Sequence, residues 1–232
     1  MTDLATYSRS GPVGTIVIDD GKANVMSLAM LNALHGAFDQ AEKDKAVVIL
    51  KARGKHFSGG FDLGVFAKGS AEDQYLMVKA GAELALRILS FPTPVVAACQ
   101  GNAYPMGAFL IMSSDHRIAA EGDYRIGMNE VAIGLTIPWF GIEIARHRLT
   151  RPYFDRCTIT GTLFGPEQGK TAGFLDEIVE PDRLMPAAQG AARAFTALDP
   201  GAHEATKLRV REAALAGVRD GIDRIRSGGR EW

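Results

Sequence analysis

Cysteine is scarce in this chain: Cys99 and Cys157 are the only two among 232 residues. They lie far apart and match neither a zinc spacing nor a disulfide framework, so a reducing compartment is expected. His116, His147 and His203 fall at no metal-ligating spacing either, and no metal site is expected. Excess charge is also missing. With 26 Lys and Arg against 27 Asp and Glu, the formal net charge is −1. This gives no electrostatic case for nucleic acid or an anionic membrane as partner. No apolar run approaches the length of a transmembrane helix. The first residues, MTDLATYSRSGPVGTIVIDD, lack the basic-then-apolar pattern of a signal peptide, so a cytoplasmic protein is expected. Internal repeats, low-complexity linkers, a GxxxxGK[ST] loop and a GxGxxG after the first strand are all absent, which excludes the common phosphate-loop readings.

What is present suits one α/β domain of this length, with 47% hydrophobic residues to build a core. Residues 13–19 form a β-rich run that Asp20-Gly21 ends. Ser27 is placed to cap a helix over 28–44, where Leu31, Leu34, Phe38 and Ala41 recur at helical spacing. The unbroken apolar run 46–52 (AVVILKA) predicts a strand buried on both faces of a parallel sheet. A second long helix is predicted over 72–89, stopped by Pro92 and Pro94, and is followed by a strand at 95–99. Pro105 opens a helix over 106–112, and short strands follow at 115–119 and 124–126. From about residue 138 the chain reads as helical, over 139–147, 151–160, 166–171, 183–197 and 202–226. This order argues for an α/β core with a helical trailing region.

Two segments repeat one plan of buried strand, glycine-bearing turn and helix start: VVILKARGKHFSGGFDL (47–63) and PVVAACQGNAYPMGAFLIMSSD (94–115). The first amides of a helix have no intrahelical partner, and the helix dipole adds partial positive charge beside them. Two such starts brought together make an anion site from backbone alone. Gly59 and Gly60 permit close approach to a ligand. Pro105 suits a first helical position and leaves the Met106 amide free to point outward. Alone, a glycine turn between strand and helix is usually only a turn.

Taken together, GKHFSGGFDL and GNAYPMGAFLIMSSDHRIAAEGDYRIGMNEVAIGL resemble the two oxyanion segments and following active-site stretch of the crotonase (enoyl-CoA hydratase/isomerase) superfamily. The likeness runs over roughly residues 10 to 200 and ends with FGPEQGKTAGFLDEIVEP. It implies a crotonase-like α/β spiral of ββα units with a helical C-terminal region. It further implies an oxyanion hole from the amides of Phe61 and Met106, Met106 standing where the family often has glycine. Ala23, Val25, Ser58, Gly60 and Leu63 are implied to line the adenine and pantetheine part of a coenzyme A site. The substrate would be a coenzyme A thioester, with no permanently bound cofactor. By the same resemblance the protein is a homotrimer or dimer of trimers. Residues 1–195 would form the core domain, and 196–232 a C-terminal helical trimerisation segment.

Hydratases of the family carry two glutamates, one just after the second oxyanion amide and one further along. Here Phe109 holds the first position and Glu130 the second. A single base suits a 1,3-proton shift, and the pattern is similar to that of Δ3,Δ2-enoyl-CoA isomerases. Glu130 is therefore expected to be the catalytic base, its pKa raised by Ile126, Met128, Val131, Ile133, Trp139 and Phe140. The alternatives are another thioester reaction on this fold, hydration included, and a non-catalytic acyl-CoA-binding protein. Asp62 and Asp115 read as caps or turns, His35 as solvated, His56 as a loop residue, and Cys99 as core. Tyr104, Trp139 and Phe140 read equally as pocket or packing residues. Lys22 and the cations of the last helix could meet coenzyme A phosphates. Leu208, Val210, Ala214, Leu215, Val218, Ile222 and Ile225 give that helix an apolar face for a neighbour, and Trp232 could dock on another subunit.

Overall fold

A computed structural model describes residues 3–226. A six-stranded sheet runs β1(Ala5–Ser10), β2(Val13–Ile18), β3(Val47–Ala52), β5(Val95–Cys99), β7(His116–Ala120), β8(Glu177–Val179) across its width. Only the β1–β2 pair is antiparallel. A separate parallel pair joins β4(His56–Ser58) to β6(Asn102–Ala103).

The apolar run at 46–52 behaves as its composition dictates. β3 sits between β2 and β5, parallel to both. Successive side chains of a strand alternate faces. Val48 and Leu50 join the main core with Ile16 and Ile18, together with Leu31, Leu34 and Phe38 of α1(Leu28–Lys43). Val47 and Ile49 instead face Leu184, Ala188 and Ala192 of α8(Leu184–Phe195). Two helix layers thus cover the sheet. Ser27 caps α1 as expected, its hydroxyl accepting from the Met30 amide. The second long helix is α3(Ala71–Ser90), capped by a reciprocal Ser70–Asp73 box. Its predecessor, the short α2(Leu63–Lys68), does not stand out in the sequence. α4(Pro105–Ser113), α5(Trp139–Arg148), α6(Arg151–Thr158) and α7(Pro166–Ala172) lie close to their expected ranges.

Four expectations change. Residues 124–126 form no strand; Ile126 alone makes bridges, to Ala103 and Phe164. The helix expected over 202–226 is two helices, α9(Pro200–Val210) and α10(Glu212–Asp223), broken at Arg211. The break accompanies an inward turn of two cations. Lys207 Nζ and Arg211 Nη2 bind the two oxygens of Asp115 at 2.7 and 2.8 Å, and Arg211 Nη1 donates to the Leu89 carbonyl. Asp115 is therefore more than a turn residue: it also accepts from the Val95 amide and ties α9 and α10 to the sheet. The apolar stripe is divided as well. Ala214, Leu215, Val218 and Ile225 are buried within the chain, where α10 packs against α5 and α3. Leu208 and Val210 stay exposed, Val210 at 73%. Trp232 lies outside the described residues. Among the described residues, no helix is long and apolar enough to cross a membrane, and no His, Cys, Asp and Glu cluster could hold a metal ion.

Candidate active site

The β4–β6 pair stitches the two glycine-bearing loops together. His56 pairs with Asn102 and Ser58 with Ala103, and the Tyr104 amide donates to the Ser58 carbonyl. This sets the starts of α2 and α4 side by side. The first loop is braced from behind. Asn24, at φ 55°, donates through Nδ2 to the carbonyls of Arg53 and His56. Gly59 N–H donates to Ala23 O, and Met26 N–H to Gly60 O. Ser58 is fully buried; its hydroxyl donates to Asn24 O and accepts from the Gly60 amide. Gly60 takes φ 84°, a region that favours glycine, and Phe61 follows directly. The amides of Phe61 and Met106 donate to no protein acceptor among the described residues. Met106 has no intrahelical partner because it is the second residue of α4, in which Ala108 N–H donates to Tyr104 O.

A cleft of about 500 Å³ opens at these loops. Phe61, Gly60, Ala23, Val25, Leu63 and Glu130, all singled out from the sequence, line it. Ser58 and Met106 do not; both are without exposure, Ser58 holding the loop from behind and Met106 following Pro105, which is on the wall. Asp62 is on the wall, and its Oδ1 is engaged as the cap of α2 by the Gly64 amide at 2.8 Å. Phe109 lies one turn beyond Met106, fully buried and edge-to-face with Phe140 at 5.5 Å.

Glu130 begins a 3-10 turn over Val131–Ile133, its carbonyl accepting from Ile133 and Leu135 amides. The segment is anchored upstream, where Gly127 N–H reaches Ala103 O and Ile126 pairs with Phe164. One short strand, β6, therefore positions both the Met106 loop and the Glu130 segment. Glu130 is only 6% exposed, and its Oε2 has no protein partner. Burial pushes its pKa up to about 7, against a small opposing pull from its own backbone amide. Of the apolar residues expected around it, Ile126, Met128 and Phe140 are fully buried, whereas Val131, Ile133 and Trp139 are about half exposed. Trp139 is not on the cleft wall and lies under the Arg224 guanidinium at 4.7 Å, and Phe140 is core packing.

Several residues were not recognised from the sequence. Asp20 organises the 20–25 loop: its carboxylate accepts from the amides of Lys22, Asn24 and Val25. Burial pushes its pKa up, but these amides outweigh it and hold it below the ordinary value. The Asp-Gly pair signals a turn, yet nothing in it signals that this turn fixes Ala23 and Val25. His56 and Asn129 line the cleft, as does Tyr104, and His35 is half-buried beside the Ala80 carbonyl rather than solvated. Lys22 is exposed. The least obvious is Gly81 of α3. A Cβ there would lie 2.6 Å from the Phe61 ring and 3.1 Å from Met106 Sδ. Gly81→Ala is expected to lower kcat/KM for a substrate bound in the cleft about tenfold, by shifting Phe61 and Met106, while overpacking costs about 1–3 kcal/mol. Steady-state kinetics beside thermal unfolding checks it; full activity would show that neither amide moves.

A family model described as enoyl-CoA hydratase/isomerase matches residues 8–216. A probable enoyl-CoA hydratase of Bacillus subtilis is 39% identical over 132 residues, covering 55% of this chain and 50% of its own length. The human mitochondrial enoyl-CoA delta isomerase 1 is 27% identical over 197 residues, covering 83% of this chain and 65% of its own length. The chain thus spans half of the first relative and less than two thirds of the second. The apo structure of an enoyl-CoA isomerase of Mycobacterium tuberculosis superposes with a TM-score of 0.93 at 44% identity, covering 97% of this chain and 98% of that one.

Proposed function

Because the chain belongs to the enoyl-CoA hydratase/isomerase family, with its crotonase fold, we propose that it moves the double bond of a 3-enoyl-CoA to the 2-position. Glu130 removes a proton from the α-carbon. The C–H pair forms a C1–C2 double bond as the carbonyl π pair moves onto the thioester oxygen, giving a dienolate that keeps its C3–C4 double bond. The amides of Phe61 and Met106 hold that oxygen, each such donor contributing about 3–4 kcal/mol in the transition state. Glu130, now protonated, returns the proton to the γ-carbon. In this second half the carbonyl re-forms, the C1–C2 pair becomes the C2–C3 double bond and the C3–C4 pair takes up the proton at C4; the conjugated thioester then leaves. Ala23, Val25, Gly60 and Leu63 hold the coenzyme A arm, with Ser58 supporting them from behind.

One observation carries this reading above the others. Glu130 is the buried carboxylate of the cleft and keeps an unpartnered oxygen, whereas Asp62 is partly exposed and caps α2 through Oδ1, and fully buried Phe109 stands where the resemblance puts a second acid. Adding water across a double bond calls for a water held between two carboxylates. A suprafacial proton shift needs one base that can both take and return a proton, and a pKa near neutrality suits both halves. Assembly as a homotrimer through residues 196–232 belongs to the same proposal; exposed Leu198, Leu208 and Val210 support it.

The test is direct. Purified protein with a trans-3-enoyl-CoA is expected to give the conjugated product, followed in the ultraviolet. Hydration of the corresponding 2-enoyl-CoA is expected to be slower by about 10²-fold or more, the contribution of the missing acid–base group. Efficient hydration without any double-bond shift would sink the isomerase reading and leave the family standing.

A further inference from the structure

The two ends of the cleft differ in character, and the difference bears on the acyl group, given the proposed acyl-CoA site. Beyond Met106 the molecule is closed. Phe109 is fully buried against Phe140, and a Cβ on Gly141 would lie 2.5 Å from the Phe109 ring. The α3 side is equally tight, with Gly81 pressed between the Phe61 ring and the Met106 sulfur. An acyl tail therefore has no room to run inward. The outward side is the reverse. Besides Glu130, the cleft is lined by Phe66, Val78, Ile133, Leu135 and Pro138. Asn129 and Thr136 line it too. The end is open, since Ile133 is 47% exposed and Thr136 is exposed too. Ile133 is half exposed and Phe66 and Leu135 are partly exposed, and apolar side chains left open on the wall of a cleft are a surface that a ligand's apolar part can cover.

We infer that the cleft favours acyl-CoA thioesters of medium over short chain length, the acyl tail lying from Glu130 against Phe66, Ile133 and Leu135. The groove ends in solvent, so lengthening the chain meets no wall; it covers more apolar surface until these side chains are passed. A fully buried methylene contributes about fourfold in affinity, and one lying in an open groove about half of that on a logarithmic scale. Four added methylenes then give tightening on the order of tenfold or more.

Saturated acyl-CoAs bind without reacting, so titration calorimetry with butanoyl-, hexanoyl-, octanoyl- and decanoyl-CoA reads the groove separately from the chemistry. The expected result is a Kd about tenfold or more lower for octanoyl- than for butanoyl-CoA. In Ile133→Asp the butanoyl-to-octanoyl ratio should collapse toward one. In Ile159→Asp, an exposed apolar site outside the cleft, it should persist. Wild-type affinity that is flat or weakens with length overturns the inference whatever reaction is found. A length preference that survives Ile133→Asp overturns the assigned path. Failure to bind any acyl-CoA removes the site on which the inference rests, whereas tight, length-graded binding without turnover removes only the isomerase reading.

Discussion

Replacing Glu130 with glutamine is expected to lower kcat for the double-bond shift by on the order of 10³-fold or more, with acyl-CoA binding nearly unchanged. The expectation rests on what surrounds the side chain. Glu130 is buried, its Oε2 meets no protein donor, and Asp62, the other cleft carboxylate, is held by the Gly64 amide. Glutamine keeps the shape and the neutral hydrogen-bonding edge of a protonated glutamate, so folding is spared. The oxyanion amides of Phe61 and Met106 do not depend on it, since their backbone is fixed by the β4–β6 pair and by Asn24 and Ser58. What remains in the variant is therefore oxyanion stabilisation without a proton carrier, and KM for the thioester should stay within a few-fold of wild type. Activity within tenfold of wild type would remove Glu130 from the mechanism and redirect attention to Asp62 or to a water in the cleft.

Much of this site was legible because backbone geometry follows local composition. The doubly apolar run at 46–52, the Ser27 cap, Pro105 at a helix start and the paired glycines at 59–60 each have one cheap local solution, and the fold adopts it. Their order and spacing pointed to the family, and the comparisons bear that out. Other features have no local signature. β1 is an edge strand of mixed polar residues, ATYSRS, exposed along most of its length, and it exists because β2 offers it a partner. The break between α9 and α10 follows from Asp115, about ninety residues upstream, drawing Lys207 and Arg211 inward. No helical periodicity over 202–226 contains that information. Asn24 is the sharpest case. Its side chain serves two carbonyls of a loop thirty residues away and its backbone takes a positive φ, yet in sequence it is one polar residue in a turn. The residues that act through side-chain identity or local backbone were readable; those that act by holding another segment became visible only with the tertiary structure.

The acidity of Glu130 makes a second large prediction, in which activity and stability pull in opposite directions. Its pKa is raised from 4.5 to about 7, chiefly by burial. As a base it works only when ionised, so kcat/KM should climb about tenfold per pH unit below about 7 and level off above it. Stability runs the other way. In the unfolded chain the carboxyl ionises near its ordinary value, whereas the folded protein keeps the proton until about pH 7. Between these two values the folded state binds more protons, so stability falls as pH rises and is constant in this respect above both. The gap corresponds to about 3 kcal/mol in the ionised plateau. Glu130→Gln, which never ionises, should therefore be more stable than wild type by about 3 kcal/mol at pH 8 and nearly equal to it at pH 4.5. Denaturant unfolding of both proteins at the two pH values reads this difference, and every other titrating group cancels between them. The same variant gives a flat baseline for the activity profile. An equal stability difference at both pH values would mean that the variant acts through packing alone, and that the carboxylate is not held in its site at an energetic cost that the proton shift puts to use.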